Sequence, residues 1–385
     1  MTAHRALQLL HEQPELAELA AYPFNVDIER TDHVEAVRLA SGGPIEAIAG
    51  DDGGGTYFRC PDGAILYAGS EGEAGLIADS VDEALETLIG LPCWHDHILL
   101  DPDAGDAELA AEVAESEEGL AEYYGPELDA DRVTLLAALG LRRLPPAELV
   151  RRLHRAVRRT EPDHLLLNAE ELCAYAPLTR RLRVPVHEAV LAPGRADLAR
   201  LRARAADASG VTADPVRRAT ALRAAQYDRT PADLPGLREL LLAEAASGPT
   251  GDLRLATVLV GLHGEPADHA LLSSLRDRSP GVRALLGGFP DHPEGLQAWA
   301  AALDESKHGG RPVDEPPVSW ARLARRQGRT ELARCILIRL LDAAGPHDTE
   351  LLPLLAHEFA RLGDHPQAAR AEQLHAPAGS VAARP

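Results

Sequence analysis

A hairpin pattern dominates the first third of the chain. Two β-prone runs, residues 56–60 and 64–68, are joined by Pro61, Asp62 and Gly63. Proline presets φ at the start of such a turn, Asp tolerates the turn geometry, and Gly supplies a positive φ at its end. The sequence therefore predicts a β-hairpin here.

A helix is predicted directly after this hairpin. Ser80 and Glu83 form a Ser-x-x-Glu capping box, and Gly90 and Pro92 mark the end of the helix. Residues 45–49 are a further predicted strand, ahead of a Gly-rich turn. The apolar residues spaced along one face of the helix are Val81, Ala84, Leu85, Leu88 and Ile89.

The pattern becomes helical from about residue 129 onward. Apolar residues recur at helical spacing in residues 133–141, 146–157, 196–206, 216–227, 234–246 and 253–262, with short Pro, Gly or Asp breaks between these segments. Residues 253–262 and 271–275 resemble a HEAT-type helix pair. Gly328 and Gly363 lie 35 residues apart, close to the spacing of tetratricopeptide-type helix pairs. A helical solenoid and an irregular helical bundle both fit this rhythm.

These patterns predict an α+β N-terminal module followed by an all-α, repeat-like region, which is either a solenoid or a bundle. The predicted division is an α+β module at 1–128, a HEAT-like helical region at 129–305, a linker at 306–317, one or more TPR-like helical pairs at 318–375 and a tail at 376–385.

The order of features in residues 20–125 resembles the SUKH superfamily. The features are a Gly/Asp turn, a Tyr-Phe strand, an aliphatic strand, the sequence Ser-Glu-Gly-Glu-Ala-Gly, an amphipathic helix and Leu-Pro-x-Trp. Many SUKH proteins are immunity proteins of bacterial polymorphic toxin systems, and others are intracellular adaptor modules. The resemblance implies that the α+β module at 1–128 is SUKH-like, a non-catalytic module that binds a protein partner and needs no cofactor.

Acidic residues are concentrated in the first part of the chain. The 385 residues carry a formal net charge of −21. The first 150 residues hold 31 Asp or Glu against seven Arg, a balance of −24, whereas the remainder holds 29 acids and 32 bases. Such a field repels nucleic acid and anionic membranes and attracts a basic partner. Solubility in a crowded cytosol is the alternative reason for this charge.

The acids on the two Gly-rich turns are the candidate partner-binding residues: Asp51, Asp52, Glu71 and Glu73. Loop acids can contact Arg or Lys with little backbone rearrangement, and a charged rim raises the association rate. The sequence thus predicts that a basic toxin domain binds these loops. The alternative is an intracellular scaffold or adaptor that binds its partners through the helical region.

No catalytic residue is predicted. The glycines after Asp52 lack the Gly-Lys-Ser/Thr that contacts phosphate, and Ser70 lacks a Gly-x-Ser-x-Gly setting. Cys93, His95 and His97 are candidate metal ligands, because in a strand the three would share one face. A surface loop without metal is the favoured interpretation.

Two further patterns concern docking and location. Arginines between residues 142 and 159 are expected to pair with the acidic flank at residues 101–131 rather than with nucleic acid. The four scattered cysteines predict free thiols in a reducing compartment. Since no apolar stretch resembles a signal peptide or a membrane span, the protein is expected in the cytoplasm.

Overall fold

The computed structural model describes residues 5–124, 127–181, 183–307 and 310–375. A region that contains the β-sheets comes first in the chain and is followed by a mostly helical region. The chain forms two compact units, of which the first comprises residues 1–184 and 337–385 and the second residues 185–336. The second unit is thus an insertion in the sequence of the first.

The first unit contains both sheets. Its strands are β1 (Val37–Leu39), β2 (Glu46–Gly50), β3 (Thr56–Arg59), β4 (Ile65–Ala68), β5 (Glu73–Ala78), β6 (Leu166–Asn168) and β7 (Ala176–Pro177). Its helices before the insertion are α1 (Arg5–Glu12), α2 (Pro14–Ala21), α3 (Val81–Gly90), α4 (Trp94–His97), α5 (Asp106–Tyr124), α6 (Leu128–Leu139) and α7 (Pro146–Arg158).

The larger sheet has the strand order β2-β3-β4-β5-β7, antiparallel except for the β5–β7 pair. The predicted hairpin joins β3 to β4: Cys60 N–H donates to the Ala64 carbonyl at 2.8 Å, and Gly63 has a φ of 91°. One half of the predicted capping box of α3 also forms. Ser80 Oγ accepts from Glu83 N–H, while the Glu83 carboxylate accepts from Asp79 N–H instead of Ser80.

Both faces of this sheet are covered, because all four residues of β4 are buried although their side chains alternate between the two faces. Ile65 and Tyr67 point into a core shared with α1, α3, α6 and α7. Leu66 and Ala68 point the other way, into a smaller core with Leu39 and Leu166 from the β1–β6 pair.

The boundary between the units differs from the sequence-based division at residue 128. Helices α6 and α7 bury Leu135, Leu139, Leu149 and Leu153 in the same core as Ile65, so they belong to the first unit. Strands β6 and β7, in a stretch expected to be helical, also pair within this unit. Their contacts join residues more than 100 positions apart, which local periodicity does not reveal.

The second unit is helical. Its helices are α8 (Val186–Arg202), α9 (Ala208–Ala213), α10 (Pro215–Tyr227), α11 (Leu234–Ala245), α12 (Gly251–Gly261), α13 (Pro266–Arg276), α14 (Pro280–Leu285), α15 (Leu296–Lys307) and α16 (Pro317–Arg326), with 3-10 turns at Pro231–Asp233, Pro293–Gly295 and Pro312–Asp314. Its core includes Leu222, Leu240, Leu259 and Leu296.

The chain leaves the second unit within α17 (Thr330–Ala343) and ends with α18 (Leu351–Leu362) and α19 (His365–His375). Gly328 and Gly363 have φ values of 73° and 74°, as expected for glycines that end helices. Helix α18 packs against α19, whereas α16 packs against α8.

The expected linker at 306–317 is anchored in its described part. Glu315 pairs with Arg223 and accepts a hydrogen bond from the Tyr227 hydroxyl at 2.8 Å. Residues 308–309 and the expected tail at 376–385 lie outside the described residues.

Candidate functional site

The two Gly-rich loops lie side by side at one end of the larger sheet. The first connects β2 to β3 and the second connects β4 to β5. Ser70 Oγ, in the second loop, donates to the Gly53 carbonyl in the first at 2.9 Å. Gly54 and Gly72 have φ values of 82° and 85°, which only glycine adopts without strain. The structure therefore brings the candidate loops together.

Asp51 departs from the expectation that it contacts a partner. Its side chain is buried and accepts hydrogen bonds from Gly55 N–H and from the Tyr67 hydroxyl, both at 2.8 Å. Tyr67 packs edge-on against Trp94, with ring centroids 4.9 Å apart. Asp51 thus fixes the first loop from inside, and its charge is not presented at the surface.

The other three candidate acids are accessible. Asp52 and Glu71 are exposed and Glu73 is half-buried. Asp52 pairs with Arg30 at 3.1 Å, but the Arg30 side chain is 50% exposed and the Asp52 side chain is 58% exposed. Such a pair contributes little to stability and is easily replaced by a partner's cation.

Residues distant in sequence complete this end of the sheet. Ala176 N–H donates to the Gly72 carbonyl at 2.7 Å, which places Tyr175 beside the second loop. The Tyr175 hydroxyl donates to the Glu35 carboxylate, and His33 contacts both Tyr175 and Thr56 at 3.0 Å. We call Val34, Glu35, Asp52, Glu71 and Glu73 the sheet-end surface. Sequence reasoning missed Glu35 and its chain neighbour Val34, because the hydrogen bond that positions Glu35 spans 140 residues.

The hydrogen bonds of this network assign one proton of the His33 ring. Since the Tyr175 hydroxyl donates to Glu35, its oxygen accepts from His33 Nε2–H, and Nδ1 lies 3.0 Å from the Thr56 hydroxyl oxygen. Burial lowers the pKa of His33, against the opposing effect of the Glu35 charge. Burial and the hydrogen bond to Glu35 raise the pKa of Tyr175.

This network orders a surface and is not arranged for nucleophilic catalysis. Thr56, the hydroxyl next to His33, is only 1% exposed and is out of reach of a substrate. In contrast, Val34, the chain neighbour of Glu35, is 63% exposed, so an apolar side chain is accessible next to an acid of the sheet-end surface. An apolar centre with a charged rim is typical of a protein-binding surface.

The candidate metal ligands do not converge. Residues 94–97 form a short helix, so Cys93, His95 and His97 do not share one face as they would in a strand. His95 stacks on Trp94 with ring centroids 3.6 Å apart, whereas His97 is buried. Within the described residues, no group of three or more His, Cys, Asp or Glu side chains is placed to hold a metal ion.

His97 and His154 form a buried pair instead. His154 Nε2 donates to the His97 carbonyl at 2.9 Å, and each side chain is 1% exposed. His154 Nδ1 and His97 Nε2 have no hydrogen-bond partner among the described residues. Burial lowers the pKa of both imidazoles.

We expect acid to destabilise the first unit through these histidines. Their folded pKa values lie below the unfolded value of about 6.5, so the unfolded state binds more protons as the pH falls and the free energy of unfolding decreases. Urea unfolding between about pH 7 and pH 5.5 should show this slope. His154→Gln, which keeps an N–H for the His97 carbonyl, should reduce the slope. The same slope in the parent and in His154→Gln would contradict the assignment.

The basic segment pairs in part with the acidic flank, as expected. Arg151 pairs with Asp106 at 2.6 Å, and Arg143 pairs with Asp129 at 2.7 Å. Arg142 and Arg152 instead pair with Glu86 on α3. These arginines therefore attach α7 and the preceding loop to the rest of the first unit.

The cysteines are free thiols, and Cys60 and Cys335 are buried. Burial and the nearby Asp62 charge raise the pKa of the Cys60 thiol to about 12, so this thiol is unreactive at neutral pH. In the described part of the chain, no helix combines the length and apolar composition needed to cross a bilayer.

Comparisons of the chain with models of known protein families, with curated proteins and with solved structures gave no match.

Proposed function

We propose that the chain is a non-catalytic, protein-binding molecule: a SUKH-type immunity protein whose sheet-end surface binds and neutralises a basic toxin domain. One observation carries this proposal. Two loops place the accessible acids Asp52, Glu71 and Glu73 at one end of the sheet, and Tyr175, beside the second loop, holds Glu35, whose chain neighbour Val34 is exposed.

The apolar and the charged residues of this surface have different roles in binding. Val34 supplies apolar area that a partner can desolvate, and the carboxylates of the surface steer a basic partner toward it. Asp51 and the His33–Tyr175–Glu35 network hold the surface in shape before binding, which reduces the entropy lost on association. The proposed site of action is the cytoplasm, which the four free thiols support.

An intracellular scaffold that binds through the helical unit is the second candidate. Helix α11 packs against α12, and α8 packs against α10, as in repeat-like helix pairs. If these pairs form a solenoid, its concave surface would be the binding site. Hydrogen exchange of the chain with its captured partner separates the candidates, because protection falls on residues 51–73 in one and on α8–α12 in the other.

The direct test removes charge from the sheet-end surface. The triple variant Asp52→Asn, Glu71→Gln, Glu73→Gln should slow association with a captured basic partner by roughly tenfold at low ionic strength. Its association rate should also depend less on salt than that of the parent. Stopped-flow binding over a salt series measures both effects.

A matched control loses the same charge elsewhere. Glu108, Glu112 and Glu115 are exposed on α5, and their replacement by Gln changes net charge equally. This control should associate much faster than the sheet-end variant. Equal rates for the parent and the sheet-end variant would show that the surface is not the binding site.

A further inference from the structure

A small cleft in the helical unit has the features of a binding site. It lies where the C-terminus of α8 meets the start of α11, and its volume is about 80 Å³. Leu198, Leu201 and Pro235 form its apolar wall, while Arg202, Arg204 and Asp233 supply polar groups. A polar cleft of this volume has room for several water molecules or for one small polar group.

The charge balance of the cleft is positive. Asp233 is buried, and Arg202 Nε donates to its carboxylate at 2.6 Å and Arg202 Nη2 at 3.1 Å. Thr230 contributes its backbone N–H at 2.8 Å and its hydroxyl at 3.1 Å. The Asp233 charge is thus compensated within the protein. Arg204 makes no ion pair or side-chain hydrogen bond with the described residues, so its charge is in excess.

Arg204 is also held in an unfavourable backbone conformation. Its φ is 49°, in the left-handed region that favours glycine. Ala205 N–H donates to the Arg200 carbonyl and Arg204 N–H to the Leu201 carbonyl, which is the Schellman motif that normally places glycine at this position. The backbone conformation at this position therefore favours glycine over arginine. What arginine supplies in place of glycine is its charged side chain.

We propose that this cleft binds a small oxyanion, a phosphate or a carboxylate group, through the guanidinium of Arg204 with Arg202 beside it. Guanidinium groups bind both kinds of oxyanion through two parallel N–H donors. This site lies within the second unit and is independent of the sheet-end surface and its proposed function.

The experiment compares thermal unfolding of the full chain in inorganic phosphate, in sodium acetate and in sodium chloride at matched ionic strength. Phosphate or acetate should raise the unfolding midpoint in a saturable manner, whereas chloride should not. A response to phosphate alone identifies the phosphate group as the ligand chemistry, and a response to acetate alone identifies the carboxylate. No saturable response to either anion overturns the proposal.

Two variants at Arg204 make the test specific. Arg204→Ala and Arg204→Gly should each weaken anion binding by at least about tenfold, as expected for the loss of a charge-assisted hydrogen bond. Without anion, Arg204→Gly should unfold at a higher temperature than Arg204→Ala, because glycine relieves the left-handed strain. Arg278→Ala, at an exposed arginine of the same unit, should retain the full anion effect. An undiminished effect in both Arg204 variants would overturn the proposal.

Discussion

Replacing Glu86 with Ala should destabilise the first unit by about 3–5 kcal/mol, the cost of leaving a buried charge without its partner. The Glu86 side chain is 4% exposed, and Arg152 Nη1, on a side chain that is 9% exposed, donates to it at 2.6 Å. Arg142 contributes its side chain and its backbone N–H, which lies 3.0 Å from Glu86 Oε1. The variant therefore leaves the Arg152 guanidinium and a backbone donor unpaired. Urea unfolding at neutral pH measures the loss.

Two comparisons test the cause of this loss. Asp79→Ala breaks an ion pair with Arg159 in which both side chains are about half exposed, and it should cost less than about 1 kcal/mol. The double variant Glu86→Met, Arg152→Met should recover much of the stability lost in Glu86→Ala, because it buries no unpaired charge. If Glu86→Ala lowered the free energy of unfolding no more than Asp79→Ala does, an unpaired buried charge would not be the cause of the loss.

The pH dependence of this difference has a definite sign. Burial acts to raise the pKa of the Glu86 carboxyl, but the hydrogen bonds from Arg142 and Arg152 outweigh it and lower the pKa. The contribution of Glu86 is therefore complete above its unfolded pKa of about 4.3 and is lost as the pH falls through the folded pKa. The parent and Glu86→Ala should converge in stability under acidic conditions.

Local signals in the sequence predicted the elements well. The hairpin around Gly63 and the cap at Ser80 form as expected, because turn chemistry and capping depend on neighbouring residues. Three helices of the second unit, α10, α11 and α12, lie within two residues of their predicted bounds, whereas α8 begins ten residues before the predicted segment 196–206. Periodicity is sufficient where one helix face is buried.

Tertiary contacts determine the existence of β6 and the burial of the loop acids, which local sequence patterns do not predict. Strand β6 has no alternating pattern of its own and exists through its pairing with β1, about 130 residues earlier. Asp51 and Asp52 are adjacent acids in one Gly-rich turn. Asp51 is buried and accepts a hydrogen bond from the Tyr67 hydroxyl, whereas Asp52 lies at the surface. Burial of a loop acid depends on which side chains fold beneath it, and a single sequence does not show this.

One glycine of the helical unit should not be replaceable by Ala, although Ala has the higher helix propensity. Gly194 lies inside α8, where Ala normally stabilises a helix by about 1 kcal/mol relative to Gly. A Cβ at this position would lie 2.3 Å from the carbonyl oxygen of Thr220 on α10 and 2.7 Å from its carbonyl carbon. Because the obstacle is backbone, α8 and α10 must separate. We expect Gly194→Ala to destabilise the unit by about 2 kcal/mol net of the propensity gain.

Gly119 provides the matched control, since it lies within α5 and a Cβ there would meet no atom within 4 Å. Gly119→Ala should therefore stabilise the protein by up to about 1 kcal/mol, so the same substitution should have opposite signs at the two sites. Adding Thr220→Ala should not rescue Gly194→Ala, because the closest contact is with the Thr220 carbonyl rather than its side chain. Thermal unfolding gives the signs, and hydrogen exchange should locate the loss of protection in α8 and α10. A stabilising Gly194→Ala would show that these two helices do not cross as closely as Gly194 permits.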